Sequence, residues 1–284
     1  MSANPPVERL SWIGHRANGL AAGWNRVGSQ VAFYGRTIAE MRTAFGHYGR
    51  EIIRLIAQMS LGTGALAVIG GTVVIVGFLT LSTGAVIAVQ GYNQLSGIGV
   101  EAMTGFISAY VNVRIISPAV AGVGLAATIG AGATAQLGAM RIADEIDALE
   151  VMAVRSVAYL VSTRVVAGVV VVIPLYCIAV VCAFQAARFG TTGVYGQSTG
   201  VYDHYFRTFL NSTDLLWSFL TVIAAAIAIM LVHTYYGYTA KGGPAGVGAA
   251  VGHSVRTSLI VLTLIVLAIS LSVHGQSGHF NLSG

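Results

Sequence analysis

A cluster of carboxylates in the middle of the chain is the most concentrated chemistry in the sequence. The four acids lie within seven residues of a predicted helix at 141–154, at Asp144, Glu145, Asp147 and Glu150. Apolar residues of that helix share one face and make it amphipathic, namely Ile142, Ile146, Leu149 and Ala153, with Met152 at the margin. Such a helix is either a solvated connector or a coupling helix that sits in a groove of a cytosolic motor subunit.

Arg114 is the second candidate for binding chemistry, because it interrupts a long apolar stretch. A cation near the centre of a bilayer costs at least about 2.5 kcal/mol and by default marks a functional or a paired site. The alternative is that the side chain snorkels to the outer interface, since Arg114 lies only 13 residues after Glu101.

Enzymatic chemistry finds little support in the sequence. The seven histidines are scattered and form no HExxH motif, and His233 fits a polar helix cap or a lipid contact better than a ligand role. The single lysine, Lys241, is followed by Gly242, so the GxxxxGK motif of a phosphate-binding loop is absent. Any energy from nucleotide must therefore come from another polypeptide.

The composition shows what kind of molecule must position these residues. Of the 284 residues, 55% are hydrophobic and only 9% are charged, against roughly 25% charged residues in soluble domains. This excludes a soluble globular protein, a disordered chain and a nucleic-acid binder. The two cysteines, Cys177 and Cys182, lie in one apolar stretch, which excludes a disulfide scaffold.

Uncharged stretches between the ionisable residues predict five membrane spans. A span needs about 20 apolar residues, and the stretches place the spans near 64–90, 104–134, 163–187, 214–236 and 251–274. The second stretch is too long for a single crossing, because continuous helix over 102–140 would measure roughly 58 Å. We expect it to be tilted, broken near Pro118 or extended into the cytoplasm.

Positive charge predicts the orientation of the chain. With the N-terminus in the cytoplasm, twelve lysines and arginines lie on that side and two, Arg188 and Arg207, on the other. The sequence therefore predicts a multi-pass protein of the cytoplasmic (inner) membrane with an extracytoplasmic tail at 275–284.

The N-terminal segment 1–63 holds seven of the arginines. Within it, a helix at about 31–57 has its apolar residues in an arc of about 140°. This pattern predicts a helix lying in the membrane interface; the alternative is a helix packed on a cytosolic partner.

The residues that resemble a known family lie around the acidic cluster. The segment 132–154, Gly-Ala-Thr-Ala-Gln-Leu-Gly-Ala-Met-Arg-Ile-Ala-Asp-Glu-Ile-Asp-Ala-Leu-Glu-Val-Met-Ala-Val, resembles the signature of the MlaE/YrbE permeases. These are membrane subunits of ABC-type lipid transporters that work with MCE proteins. Residues 159–164 and 237–248 also resemble the family, and the resemblance extends over about 64–274 in order.

The resemblance implies an all-α dimeric permease with one N-terminal interfacial helix and five transmembrane helices in a domain at 64–274. A cytosolic ABC ATPase dimer would bind ATP and dock on the coupling helix, and extracytoplasmic MCE proteins would carry lipid to or from the dimer cavity. The chain itself would need no cofactor and no metal.

The resemblance also assigns roles to residues of this chain. Substrate contact falls to Arg114, Ile115 and Pro118. ATPase coupling falls to Asp144, Glu145, Ile146, Asp147, Leu149, Glu150 and Met152. A supporting loop contains Gly237, Gly243, Gly246 and Gly248.

Several positions depart from the family pattern. The family often has Arg-Glu-Leu-Gly-Pro where this chain has Arg114-Ile115-Ile116-Ser117-Pro118, and Ser156 and Thr163 replace usual prolines. Such changes suit the actinobacterial YrbE branch, in which two unlike permeases pair, so a heterodimer is expected and a homodimer is the alternative. The expected function is lipid or fatty-acid import; the alternatives are a non-transporting scaffold for an MCE assembly and an ion-coupled carrier acting alone.

Overall fold

The computed structural model describes the backbone of residues 8–61 and 67–274 and the side chains of residues 27–60 and 71–273. Within these ranges every regular element is helical. Two helices, α1 (Glu8–His47) and α2 (Gly49–Leu61), precede the long apolar ones. The others follow in chain order: α3 (Ala67–Ser96), α4 (Glu101–Ile142), α5 (Glu145–Val151), α6 (Val157–Val194), α7 (Thr199–Phe209), α8 (Ser212–Tyr238) and α9 (Gly243–His274).

The five predicted spans correspond to α3, α4, α6, α8 and α9, which are all long and apolar enough to cross a membrane. Helices α4, α6 and α8 extend past both predicted bounds, because an uncharged stretch marks only the apolar part of a helix while helical hydrogen bonding continues into the interface. The first predicted residues of span one, and the predicted tail at 275–284, lie outside the described residues. The chain is therefore an all-α, multi-pass membrane protein.

The second span is continuous and is not broken near Pro118. Over its 42 residues, α4 contains two π-helical segments, at Asn112–Ile116 and Leu125–Gly130. Pro118 is the second residue of the α-helical stretch that follows the first π-helical segment, a position where its missing N–H is tolerated.

The core of the bundle lies between α6 and its neighbours. Buried residues of α4, α6 and α8 form its centre, including Leu125, Val172, Leu175, Ile229 and Met230. About 56% of the most apolar window of α6 is buried, against 22% for α9. The exposed surface of α9 is therefore available to lipid or to another chain.

The predicted interfacial helix at 31–57 is divided into α1 and α2 at Tyr48, whose ring packs on Tyr159 with 5.1 Å between centroids. In α1, Tyr34 and Met41 pack against the core. Burial, followed by the neighbouring Tyr236 and Tyr235, raises the pKa of Tyr34 to about 12. A second apolar stripe remains exposed at Val27, Val31, Ile38 and Phe45. Helix α1 thus has one apolar stripe against the protein and one facing outward, and of the outward residues Ile38 and Phe45 belong to the predicted arc.

Candidate functional site

The loop between α4 and α6 contains the short helix α5. It spans seven residues and is flanked by two residues with left-handed backbone, Asp144 at φ 55° and Ala153 at φ 59°. The predicted helix at 141–154 is therefore too long: Arg141 and Ile142 belong to α4, and the left-handed residues end α5 on both sides. Two sharp reversals hold α5 across the end of the bundle.

One face of α5 packs into the protein as its apolar pattern predicted. Ile146 is fully buried against Leu137 and Leu160, and Leu149 is partly buried in the same cluster. Ile142 is exposed instead, because it lies before the left-handed turn at Asp144. This packing fixes which side of α5 faces away from the bundle.

Two of the acids of α5 bond to neighbouring elements. Arg141 Nη1 donates to Asp147 Oδ1 at 2.6 Å. Glu150 Oε1 accepts from Ser156 Oγ at 2.6 Å and from Tyr238 Oη at 3.1 Å, and the two hydroxyl oxygens are 2.8 Å apart. We refer to Glu150, Ser156 and Tyr238 as the Glu150 cluster.

The outward side of α5 ends in an apolar tip. Val151 is 88% exposed and Met152 is 64% exposed. The acids Asp144, Glu145 and Asp147 are exposed at the start of the same helix, and we refer to these three acids as the acidic rim. Val151 was missed in the sequence, although an apolar residue beside Met152 on the polar side of an amphipathic helix is the signal that could have identified it. An apolar tip with an acidic rim suits a groove with a basic rim.

Arg114 lies in the first π-helical segment of α4 and is paired. Its Nη2 donates to Asp214 Oδ2 at 2.8 Å and its Nε to the same oxygen at 3.3 Å. The guanidinium also stacks over the ring of Tyr110 at 3.8 Å. Both charged side chains retain about one sixth of their exposure, at 16% and 17%. Arg114 is therefore a paired residue, held at the first turn of α8.

The other two predicted substrate residues do not converge on Arg114. Ile115 lines an apolar cavity of about 470 Å³ between α4 and α9, together with Leu262 and Val266. Pro118 is buried and is not part of the cavity lining. The π-helical turn directs adjacent residues to different partners, Arg114 to α8 and Ile115 to α9.

The predicted glycine loop joins α8 to α9 at the α5 end of the molecule. Gly237 lets α8 approach α4, since a Cβ there would lie 2.8 Å from the carbonyl oxygen of Thr134. Gly243 has φ 68°, which a side chain would strain. Gly246 lies against the carbonyl of Lys241, whereas Gly248 faces open space. Three of the four glycines thus have a local structural reason.

A buried polar cluster around His233 was missed. His233 is fully buried, rather than at a helix cap or against lipid. Its Nδ1 lies 2.8 Å from Thr134 Oγ1 and its Nε2 lies 3.1 Å from Ser258 Oγ. Ser254 Oγ lies 3.1 Å from Thr134 Oγ1. The signal was the four-residue spacing of Ser254 and Ser258, which places two hydroxyls on one face of α9.

Similarity to known proteins covers most of this architecture. The chain is 30% identical over 199 residues to a probable ABC transporter permease protein of Rickettsia bellii (strain RML369-C), covering 67% of this chain and 73% of that protein. It is 25% identical over 186 residues to the intermembrane phospholipid transport system permease protein MlaE of Haemophilus influenzae (strain ATCC 51907 / DSM 11121 / KW20 / Rd), covering 65% and 71%. It is 24% identical over 189 residues to protein TRIGALACTOSYLDIACYLGLYCEROL 1, chloroplastic, of Arabidopsis thaliana, covering 66% and 52%.

The family profile described as Permease MlaE matches residues 61–272. That range includes α5, the Arg114–Asp214 pair and nearly all of the five apolar helices. A match over this much of the chain shows the family directly. The chain belongs to the MlaE permease family.

Proposed function

We propose that this chain is the permease subunit of an ATP-driven lipid transporter and that α5 is the helix on which a separate cytosolic ATPase docks. The observation that carries the proposal is the geometry of α5. Its buried face fixes its orientation, while Val151 and Met152 are exposed at one end of α5 and the acidic rim is exposed at the other. A partner with an apolar pocket and basic edges would bind this tip by burying both side chains.

ATP binding belongs to that partner in this proposal. The chain has no phosphate-binding loop, since its single lysine lacks the required motif. An ATPase dimer would serve two permease chains, one α5 for each ATPase subunit. The proposed orientation places α1, α2 and α5 in the cytoplasm, with most of the arginines on that side.

The proposed substrate is a lipid with an anionic or polar head. The Arg114 guanidinium would contact the head group while Asp214 holds it in place. The apolar cavity lined by Ile115 would take an acyl chain once a second permease chain, unlike or identical, covers the exposed side of α9. Extracytoplasmic MCE proteins would deliver the lipid, and the proposed direction is import.

Charge at the tip of α5 tests the ATPase contact. Substituting Val151→Asp together with Met152→Asp adds acids to a helix that already has the acidic rim, and we expect the variant to lose its co-purifying ATPase and its lipid uptake. The matched control is Ile98→Asp, which charges a residue that is 73% exposed in the turn before α4, away from α5. Normal ATPase recovery with the α5 variant contradicts the proposal.

Arg114→Ala tests the substrate contact in the same uptake assay. We expect uptake to fall at normal expression, and unaltered uptake removes Arg114 from the substrate site.

Reconstitution in liposomes separates the alternatives for the whole chain. Transport by the purified chain without ATP identifies an ion-coupled carrier, and assembled MCE complexes without bound lipid identify a scaffold.

A further inference from the structure

We propose that Glu150 is a positioning residue that ties α5 to the end of α8, and that it is not a docking contact for the ATPase. This inference rests on the proposed function, because it concerns how movement of α5 reaches the spans. It divides the acids of α5 into two groups with different roles.

The hydrogen bonds of the Glu150 cluster join three elements. One carboxylate oxygen, Glu150 Oε1, accepts from Ser156 Oγ at 2.6 Å and from Tyr238 Oη at 3.1 Å. Ser156 directly precedes α6 and is 2% exposed, and Tyr238 is the last residue of α8. The 2.8 Å separation of the two hydroxyl oxygens closes the triangle. The cluster therefore holds α5 against the ends of two spans.

A carboxylate that already accepts two hydrogen bonds is poorly suited to a new partner. Hydrogen bonds to an ionised acceptor are stronger than neutral ones, so docking through this oxygen would first have to break them. Glu145 and Glu150 are both exposed, but the hydrogen bonds of the described side chains include none to Glu145 and two to Glu150. Glu145 fits the acidic rim, whereas Glu150 fits an internal contact.

The Glu150 cluster also reaches α1. The ring of Tyr238 packs on Phe33 with 5.5 Å between centroids, and Phe33 packs on Tyr235 at 5.4 Å. At the opposite end of α5, the Arg141–Asp147 ion pair connects to α4. A displacement of α5 therefore has two separate routes into the bundle, and the Glu150 cluster provides the route into α8.

That route ends at the proposed substrate contact. Helix α8 runs without interruption from Ser212 to Tyr238, and Asp214 in its first turn holds Arg114. A rigid helix moved at Tyr238 moves Asp214 with it. Glu150 thus links the docking helix to the ion pair on the far side of the bundle.

The test compares variants of the complete complex, purified with its ATPase and reconstituted in liposomes of phospholipid. Glu150→Ala removes the acceptor, Ser156→Ala with Tyr238→Phe removes both donors, and Glu150→Gln keeps an acceptor oxygen without the charge. Thr239→Ala is the matched control, because its hydroxyl, next to Tyr238 in sequence, bonds only to Tyr235 in its own chain segment. The measurements are ATPase recovery, the rate of ATP hydrolysis and the lipid transferred for each ATP.

We expect Glu150→Ala and the double variant to retain the ATPase and to hydrolyse ATP, while lipid transferred for each ATP falls roughly fivefold or more. Thr239→Ala is expected to match the wild type, and Glu150→Gln, which keeps an acceptor oxygen but loses the charge, is expected to lie between the wild type and Glu150→Ala. A merely structural defect would lower complex recovery and would not change the ratio of lipid to ATP.

Two results overturn the role of Glu150. Loss of the ATPase from Glu150→Ala makes this residue a docking contact, and an unchanged ratio of lipid to ATP removes it from transmission. The proposed function fails differently: the wild-type complex itself would then transfer no lipid with ATP. If the wild-type complex transfers lipid with ATP and Glu150→Ala transfers the same amount of lipid for each ATP, only the inference about Glu150 is overturned.

Discussion

At the scale of single residues, two ionisable side chains within the spans, Arg114 and His233, are held by polar partners from other helices. Arg114 of α4 is paired with Asp214 of α8, and His233 of α8 lies between hydroxyls of α4 and α9. Leaving such groups unpaired in an apolar environment costs several times what a satisfied pair contributes. Each pair therefore fixes the relative position of two helices.

The Arg114–Asp214 pair predicts an asymmetry between single and double variants. Asp214→Ala leaves the guanidinium without its carboxylate, and we expect about 1–3 kcal/mol of destabilisation, since both groups are only partly buried. Arg114→Met with Asp214→Ala removes both charges and is expected to recover much of the loss. Thermal unfolding in detergent measures this. A double variant less stable than Asp214→Ala argues against a pairing role.

The His233 cluster predicts a loss of stability when the imidazole ring is removed. His233→Leu has a similar volume but leaves the hydroxyls of Thr134 and Ser258 without their ring partner, and we expect about 1–3 kcal/mol of destabilisation. His204→Leu, at an exposed position of α7, is the control and is expected to be close to neutral. Equal thermal midpoints for the two variants contradict the importance of the cluster.

These residue contacts explain the limit of sequence prediction at this scale. Arg114 could be identified because a cation in an apolar stretch costs free energy. Its partner Asp214 is 100 residues away in sequence and was predicted only to mark the start of a span. His233 was misplaced because its two hydroxyl partners, Thr134 and Ser258, come from helices that the sequence could not pack together. Periodicity gives a face of a helix, and tertiary packing decides what that face meets.

At the scale of elements, the backbone at the ends of α5 predicts how firmly this helix is held. Ala153 has φ 59°, a conformation that costs a residue with a side chain about 1 kcal/mol and costs glycine little. We expect Ala153→Gly to slow hydrogen exchange of the α5 amides. Ala148→Gly, within the helix itself, is the control and should speed exchange. If the hydrogen-exchange rate of the α5 amides changes in the same direction in both variants, the backbone of Ala153 is not a source of strain.

The elements themselves were largely predictable. Uncharged stretches located five spans because the bilayer excludes charge over a fixed thickness. The length of α5 was overestimated because the amphipathic pattern passes through Asp144 without a glycine or proline to mark the turn. The continuity of α4 could not be predicted either, because π-helical segments have no compositional signal. The helix continues through Pro118 without a break.

At the scale of the whole molecule, the connections gather at two opposite ends. At one end, the Glu150 cluster and the Arg141–Asp147 pair bring α5 against the ends of α4, α6 and α8. At the other, Arg188 and Asp203 form an ion pair at 2.9 Å between α6 and α7. An Arg–Asp pair lies at each end, and the Glu150 cluster adds hydroxyl–carboxylate hydrogen bonds at the α5 end.

The orientation of these ends is a prediction of the charge distribution, and cysteine labelling tests it. In a background with Cys177→Ala and Cys182→Ala, we expect an impermeant maleimide to label His204→Cys in intact cells and Thr239→Cys only after permeabilisation. His204 is exposed on α7 and Thr239 is exposed at the α5 end of α8. Twelve cations against two favour the α5 end in the cytoplasm. Because α8 crosses the bundle, the two sites must respond oppositely; the reverse pattern would place α5 outside the cell, where no cytosolic ATPase can dock.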